Sequence, residues 1–600
     1  FWLKTPSPFG IRRSPGMGAC CSSAAGVSGA EDVHEKLYPM WLVKVSDLLN
    51  MEKLLSFNDL KALWKLREHR VGMFCIFISH QWLGNVHPDP TGSQFKILKA
   101  ALKKVVDGSM SVEGDVSAQL RFGTMRLSRA ERDRIRNGYV WFDWFSVPQI
   151  ASREPHADEH EFADDTCLCV KSIPSYVEKC QVFVALVPRL LHADRGTVCN
   201  YSTWLDRGWC RAEMWCKVLS EASDIPMIVI QSEDKAEFLF PFNWNRKVAH
   251  EADFTVEADR RAVSEMSRKA LLGKLMSRAA GAQLAQYRYF AACQEGFTGQ
   301  PPARRSVQEF LSFFRFPSLK DAIAPAGYTG LACATLSGDL PMMRHLIRAK
   351  ASPDAPLPPL VKVGQYGAWR CLHLAAHQGS RGEDALLTLL ELRASPNLAE
   401  TSGSSALGFC STIKAVDTLV KWKAEVNYTT APAQMTPLGT AVAVLAPVEV
   451  VNRLLEVKAD PVHTGGGPDC GPLDALPFMS NAGGHSLEIA QLLIDARADV
   501  NKSSRPRGLH YLFHRACQSY MRYLTSNPPV SIKICAEITT TPLGKACLFG
   551  RSDLVDFLLA ARADPYIRNT QGHTAWDLTS NADVLQALEK HADSMNTISI

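Results

Sequence analysis

Two different apolar rhythms run along this chain, and the change between them divides it. From residue 73, short continuous apolar runs alternate with amphipathic ones. "MFCIFISHQW" (73–82), "YVWFDWFSVPQ" (139–149), "CQVFVALVP" (180–188) and "IPMIVIQ" (225–231) have strand length, and Pro148 ends the second. Between the first two, "SQFKILKAALKKVV" (93–106) places its apolar residues at helical spacing. Strands apolar on both faces and separated by helices predict a parallel sheet covered on both sides. In such sheets function gathers at the carboxyl ends of the strands.

The second rhythm has a longer period. Segments opening like "TPL" start at Thr329, Arg370, Ser405, Thr436, Gly471, Thr541 and Thr574, at spacings of 41, 35, 31, 35, 70 and 33 residues. The 70-residue gap reads as two units, with a worn repeat near "LHYLFHRACQSYMRYL" (509–524). Most units close on a second apolar helix, as in "LIRAKASPD", "LLELRASPN" and "LLAARADPY". A period near 33 with T-P-L-H-x-A openings resembles the ankyrin repeat, a turn plus two stacked helices. The resemblance covers residues 326–593, about eight repeats with one degenerate, and implies a solenoid whose concave surface binds proteins. His373 then takes the family's turn-bonding position. One slot departs from the family. Where ankyrin repeats usually end the second helix on a left-handed Gly, this chain has Lys350, Arg393, Lys423, Lys458, Arg497 and Arg562. A side chain there costs on the order of 1 kcal/mol, part of which a cation recovers from the helix dipole.

The first half carries the candidate chemistry. "FISH" (77–80), the strand with Asp143, "SIPSYVEKCQVFVALVP" and "RGWCRAEMW" (207–215) stand in the order of a TIR domain, which the region resembles over residues 71–232. "YVWFDWFSVPQ" is also similar to the core of the TIR-related fungal heterokaryon-incompatibility domain. The resemblance implies a flavodoxin-like α/β sheet, with Glu213 at the position of the catalytic acid in the TIR domains that cleave NAD. Pro188 stands where many TIR domains have Ser. Breaking the nicotinamide–ribose bond builds positive charge on the ribose, and a carboxylate fixed beside that carbon in a dry site stabilises it. Ser79, Trp82, Asp143 and Trp144, at strand ends, are the candidate nucleotide-pocket residues; Trp is otherwise a core residue. A bland reading of Glu213 stands beside this one: an acid in the first turn after Gly208, favoured by the helix dipole or paired with Arg207 or Arg211. Many TIR domains are adaptors that act by self-association, so protein-interaction signalling leads and NAD hydrolysis is its alternative, with NAD as substrate rather than cofactor.

Flanking segments complete the organisation. Residues 36–70 read as a helical leader buttressing an α/β domain over 71–250. Residues 251–325 read as a helical connector, with one long or broken helix over 256–295 and a capping box at Ser306 and Glu309. In the flexible segment 1–35, "MGACCSS" matches an acylation pattern if translation starts at Met17. Gly18 is then the myristoyl site, and Cys20 and Cys21 are palmitoyl sites at a cytosolic membrane face. A net charge of +5 over 66 Lys+Arg and 61 Asp+Glu does not point to nucleic acid. The 17 cysteines show no paired metal spacing and read as reduced core thiols of a cytoplasmic protein.

Overall fold

A computed structural model describes residues 36–598 apart from 115–118, 120–124, 149–164, 166–167, 221–226, 240–243, 279–282, 366, 431–434, 463–468, 479–484 and 524–527. The acylation candidates Gly18, Cys20 and Cys21 therefore lie outside the described residues.

The first half builds one mixed sheet from β1 (Trp41–Lys44), β2 (Leu66–Glu68), β3 (Cys75–His80), β4 (Glu113–Gly114), β5 (Tyr139–Phe142), β6 (Val182–Leu186), β9 (Met227–Ile230) and β10 (Ala236–Leu239). The spatial order is β2-β1-β5-β3-β6-β9-β10-β4. A separate small ribbon pairs β7 (Leu190–Leu191) with β8 (Val198–Cys199). The four strands expected from the apolar runs, β5, β3, β6 and β9, are the parallel centre. Their side chains alternate between two cores. Phe77, Trp141, Phe183 and Val229 face one side, where Phe77 stacks on Trp141 at 4.3 Å and on Phe183 at 5.4 Å. Ile76, Ile78, Phe142, Val184 and Ile228 face the other, against Phe95, Leu98 and Leu102 of the helix Ser93–Asp107. Both faces are covered, which is why the runs are continuously apolar.

The leader is not purely helical. "WLVK" and "LRE" form β1 and β2, with short helices Val45–Asn50 and Phe57–Ala62 between them. Both strands pair antiparallel at the sheet's edge, β1 onto β5 and β2 onto β1. Strands this short lack the length to display a two-residue period, and their partner β5 lies about a hundred residues away in sequence.

The connector holds two helices, Asp259–Arg278 and Leu284–Phe297. The first packs on the helix Gly208–Leu219 and on the second, which in turn packs on Gly330–Ser337, the first helix of the array. The capping box forms as expected: Glu309 accepts from the Ser306 N–H at 2.8 Å, and Ser306 Oγ accepts from the Glu309 N–H at 3.3 Å.

The second half is an ankyrin-type solenoid. Its repeat openings work locally. Thr436 and Thr541 cap the following helix by accepting from the N–H of Gly439 (3.0 Å) and Gly544 (3.2 Å). Pro437 and Pro542 occupy first-turn positions that need no donor, and Leu438 and Leu543 are fully buried. All six cations of the closing slot adopt left-handed backbone, with φ between 65° and 79°. Their place in the stack is specific. Asn397 donates to the Lys423 carbonyl at 3.1 Å and accepts from the Glu425 N–H at 2.8 Å. Asn427 does the same to the Lys458 carbonyl and the Asp460 N–H. Where a repeat carries Asn at this position, it clamps the left-handed turn of the next. Replacing Lys423 by Gly is expected to stabilise the array by up to about 1 kcal/mol, because Gly holds φ 70° without steric strain. Urea midpoints measure this, and a variant no more stable than wild type would show that the Lys side chain compensates fully.

Among the described residues, the worn repeat does not enter the stack. Asn501 clamps the Arg562 turn directly, accepting from the Asp564 N–H at 2.8 Å, and the helix Ser486–Asp495 packs on Ser552–Ala560. The intervening segment forms its own helical hairpin, Gly508–Tyr523 against Val530–Ala536. The long helix buries only His514, Cys517 and Gln518, so it does not pack an apolar face into the stack as a repeat's inner helix does. The 70-residue spacing is one repeat plus an insertion.

Candidate functional site

The carboxyl ends of β3 and β5 bring the predicted residues together. β3 ends in Ser79 and His80, and β5 runs into Asp143 at the start of the short helix Asp143–Ser146. The helix Gly208–Leu219 lays Glu213 against β3 from one face. Gly208 is required at that helix's start, since a Cβ there would meet the Phe254 ring at 2.2 Å.

Two polar pairs result, on adjacent residues of β3. Ser79 Oγ donates to Glu213 Oε2 at 2.5 Å and accepts from the indole N–H of Trp204 at 3.1 Å. His80 meets Gln94 Oε1 through Nδ1 at 2.9 Å and Asp143 Oδ1 through Nε2 at 2.8 Å. Asp143 also accepts from the Trp82 indole at 2.7 Å and from the Trp144 N–H at 2.6 Å. Trp144 is a wall rather than a polar contact: its ring is buried and meets Trp82 and His87 edge-on.

Burial sets the electrostatics. Glu213 is 9 % exposed and Ser79 1 %. Desolvation pushes the Glu213 carboxyl up from 4.5 to about 8, with the Asp143 charge adding and the Ser79 bond and His80 opposing. Glu213 is therefore mostly protonated at neutral pH. At His80, burial opposes the charge, but the Asp143 carboxylate outweighs it and the imidazole is held above its usual range. Burial likewise opposes ionisation of Asp143, and the His80 charge with three donated hydrogen bonds brings it below the ordinary range. Both His80 nitrogens face acceptor oxygens, which suits an imidazolium. The site thus sets a buried acid held above its usual range beside a His–Asp pair in which each partner favours the other's charged form, an arrangement that pushes neighbouring groups apart in acidity.

Ser79, Trp82, Asp143, Trp144 and Glu213 lie together at the strand ends, and two details of the sequence reading of Glu213 do not hold. Glu213 lies in the second turn of its helix, which begins at Gly208. It pairs with neither nearby arginine: Arg211 binds the Leu205 and Val248 carbonyls and Asp206, and Arg207 binds Thr255. His80 and Gln94 complete the cluster beyond the residues the motifs mark. The signal for His80 was its place at the end of "FISH"; Gln94 had none. An open recess lined by His69, Arg134, Tyr139 and Lys179 lies at the opposite, amino-terminal end of the strands, away from this chemistry.

No family model matches this chain. No curated protein matches it either. Among solved structures, the human ASB11 ankyrin repeat domain is 20 % identical, with a TM-score of 0.30, covering 44 % of this chain and 96 % of its own. The ankyrin repeat domain of Bcl-3, described as a unique member of the IkappaB family, is 20 % identical with a TM-score of 0.28, covering 43 % and 97 %.

Proposed function

We propose that this protein is an intracellular scaffold: the ankyrin array selects a partner protein, and a TIR-like domain acts by assembly. The observation that carries the reading is on the array. Four residues past the left-handed cation, where Asn397, Asn427 and Asn501 clamp the next repeat, two turns instead hold Val462 and Tyr566, both exposed. Apolar side chains projecting from solenoid turns suit a protein partner. The TIR-like part of the reading is supported by strand order. In chain order the four parallel strands are β3, β5, β6 and β9, and they lie 2-1-3-4, as in flavodoxin-like sheets. A cytoplasmic setting is supported by the described cysteines, which are free thiols.

The test is quantitative affinity purification of the full chain beside Val462→Asp/Tyr566→Asp. Because both side chains are exposed, the variant is expected to fold and to lose co-purifying proteins about tenfold or more. An unchanged partner set from the folded variant would sink the reading.

The position of the buried Ser79–Glu213 pair at the strand ends supports a second reading, a TIR-type NAD hydrolase that uses Glu213 in its ionised form, the minor one at neutral pH. In it, Ser79, Trp82, Asp143 and Trp144 border the nucleotide site, and the array restrains or recruits the catalytic domain.

A further inference from the structure

The helical hairpin inserted between the last repeats has its apolar face outward. Along Gly508–Tyr523, His514, Cys517 and Gln518 turn inward, where His514 bonds the Cys535 carbonyl at 2.8 Å and Gln518 bonds Thr570 at 3.2 Å. Leu509, Leu512 and Tyr523 point to solvent at 76 %, 62 % and 75 % exposure, with Tyr520 on the same face. Their spacing of 3, 8 and 3 residues keeps them on one stripe of a helix about 24 Å long. An amphipathic helix that buries a His, a Cys and a Gln while its leucines and tyrosines stay in solvent is inverted for a helix that serves only the core.

Charge says what covers it. Residues 500–536 carry Lys502, Arg505, Arg507, Arg515, Arg522 and Lys533 and no Asp or Glu, so this segment alone exceeds the +5 of the whole chain. Arg515 and Arg522 are exposed on the helix itself, flanking the apolar stripe. A second copy would set cation against cation. An anionic lipid surface matches both properties: leucines enter the acyl boundary, tyrosine rings sit at the headgroups, and guanidinium groups reach the phosphates.

We propose that Gly508–Tyr523 is a peripheral membrane-docking helix for anionic lipid surfaces. It is independent of any acylation at Gly18, because it uses side chains of the folded array.

The test is cosedimentation of the full chain, produced without lipid modification, with vesicles of phosphatidylcholine alone or with roughly one third phosphatidylserine. Wild type is expected to bind only the anionic vesicles. Leu512→Asp, and separately Arg515→Glu/Arg522→Glu, are expected to lower that binding roughly thirtyfold or more. Melting temperatures should stay within a few degrees of wild type, since these side chains are exposed and the one bond lost is from Arg515 to Gln518 Oε1. Wild-type protein that ignores anionic vesicles, or binding that both variants leave intact, overturns the proposal. So does a dimer in light scattering that Leu512→Asp dissolves without any vesicle binding, which assigns the face to a second copy. Capture by an acidic protein alone, with no vesicle binding, overturns it as well.

Discussion

Replacing Glu213 by Gln is expected to make the protein more stable at pH 8, by up to a few kcal/mol, while changing little at pH 5. The carboxyl titrates near 8 in the folded protein against an ordinary 4.5. Between those values the native state keeps a proton that the unfolded chain has released. Stability therefore falls as pH rises through that window, by about 1.4 kcal/mol per unit at most, and levels off above about 8. Gln is isosteric and never ionises, and its carbonyl can accept the Ser79 hydroxyl as Oε2 does. The His80–Asp143 pair is common to both proteins, so the difference isolates Glu213. Urea denaturation from pH 5 to 9 measures it, and parallel stability curves would mean that Glu213 keeps its charge.

The same two proteins decide between scaffold and enzyme. If Glu213 is the acid of an NAD hydrolase, full-length wild type releases nicotinamide from NAD, dilute or concentrated, and the Gln variant does not. No release from wild type leaves the Ser79–Glu213 pair as a structural element of the sheet.

The second large effect is expected at Trp215, two residues along the same helix. Its ring is fully buried, edge-on to Trp244 at 5.1 Å and to Phe297 at 4.7 Å, and its indole donates to the Lys247 carbonyl at 3.0 Å. Trp244 and Phe297 also meet each other, at 5.7 Å. This cluster joins the sheet to the connector helix Leu284–Phe297, which rests on the array. Close by, Arg246 donates to His377 Nδ1, and Arg381 donates to the Asn245 and Gly296 carbonyls. Trp215→Ala opens a cavity at this junction and leaves the Lys247 carbonyl without its indole donor. The expected cost is about 3–5 kcal/mol. Calorimetry should show wild type unfolding with the two halves coupled and the variant's α/β half melting earlier than the array. A loss under about 1 kcal/mol, with the unfolding profile unchanged, would place the coupling elsewhere. Because Glu213 shares this helix, the array is mechanically connected to the candidate acid.

Some of this was written in local sequence. The Thr caps, the first-turn prolines and the six left-handed cations each depend on a few consecutive residues, so a repeated motif reports them directly. The four central strands were legible because burial on both faces leaves an uninterrupted apolar run. The candidate residues were legible as a set, since they sit at strand ends and on one motif. Their pairing was not. Ser79 and Glu213 are 134 residues apart and His80 and Asp143 63, so only the parallel register of β3 beside β5 and the docking of one helix decided who bonds to whom. The same holds for β1 and β2, too short to show a period, and for residues 508–536, where spacing alone suggested a repeat. Sequence determined the parts whose energy is local or periodic. Tertiary structure decided the protonation of Glu213, the joint at Trp215 and the outward face of the inserted helix, because each depends on what long-range packing removes from water or leaves in it.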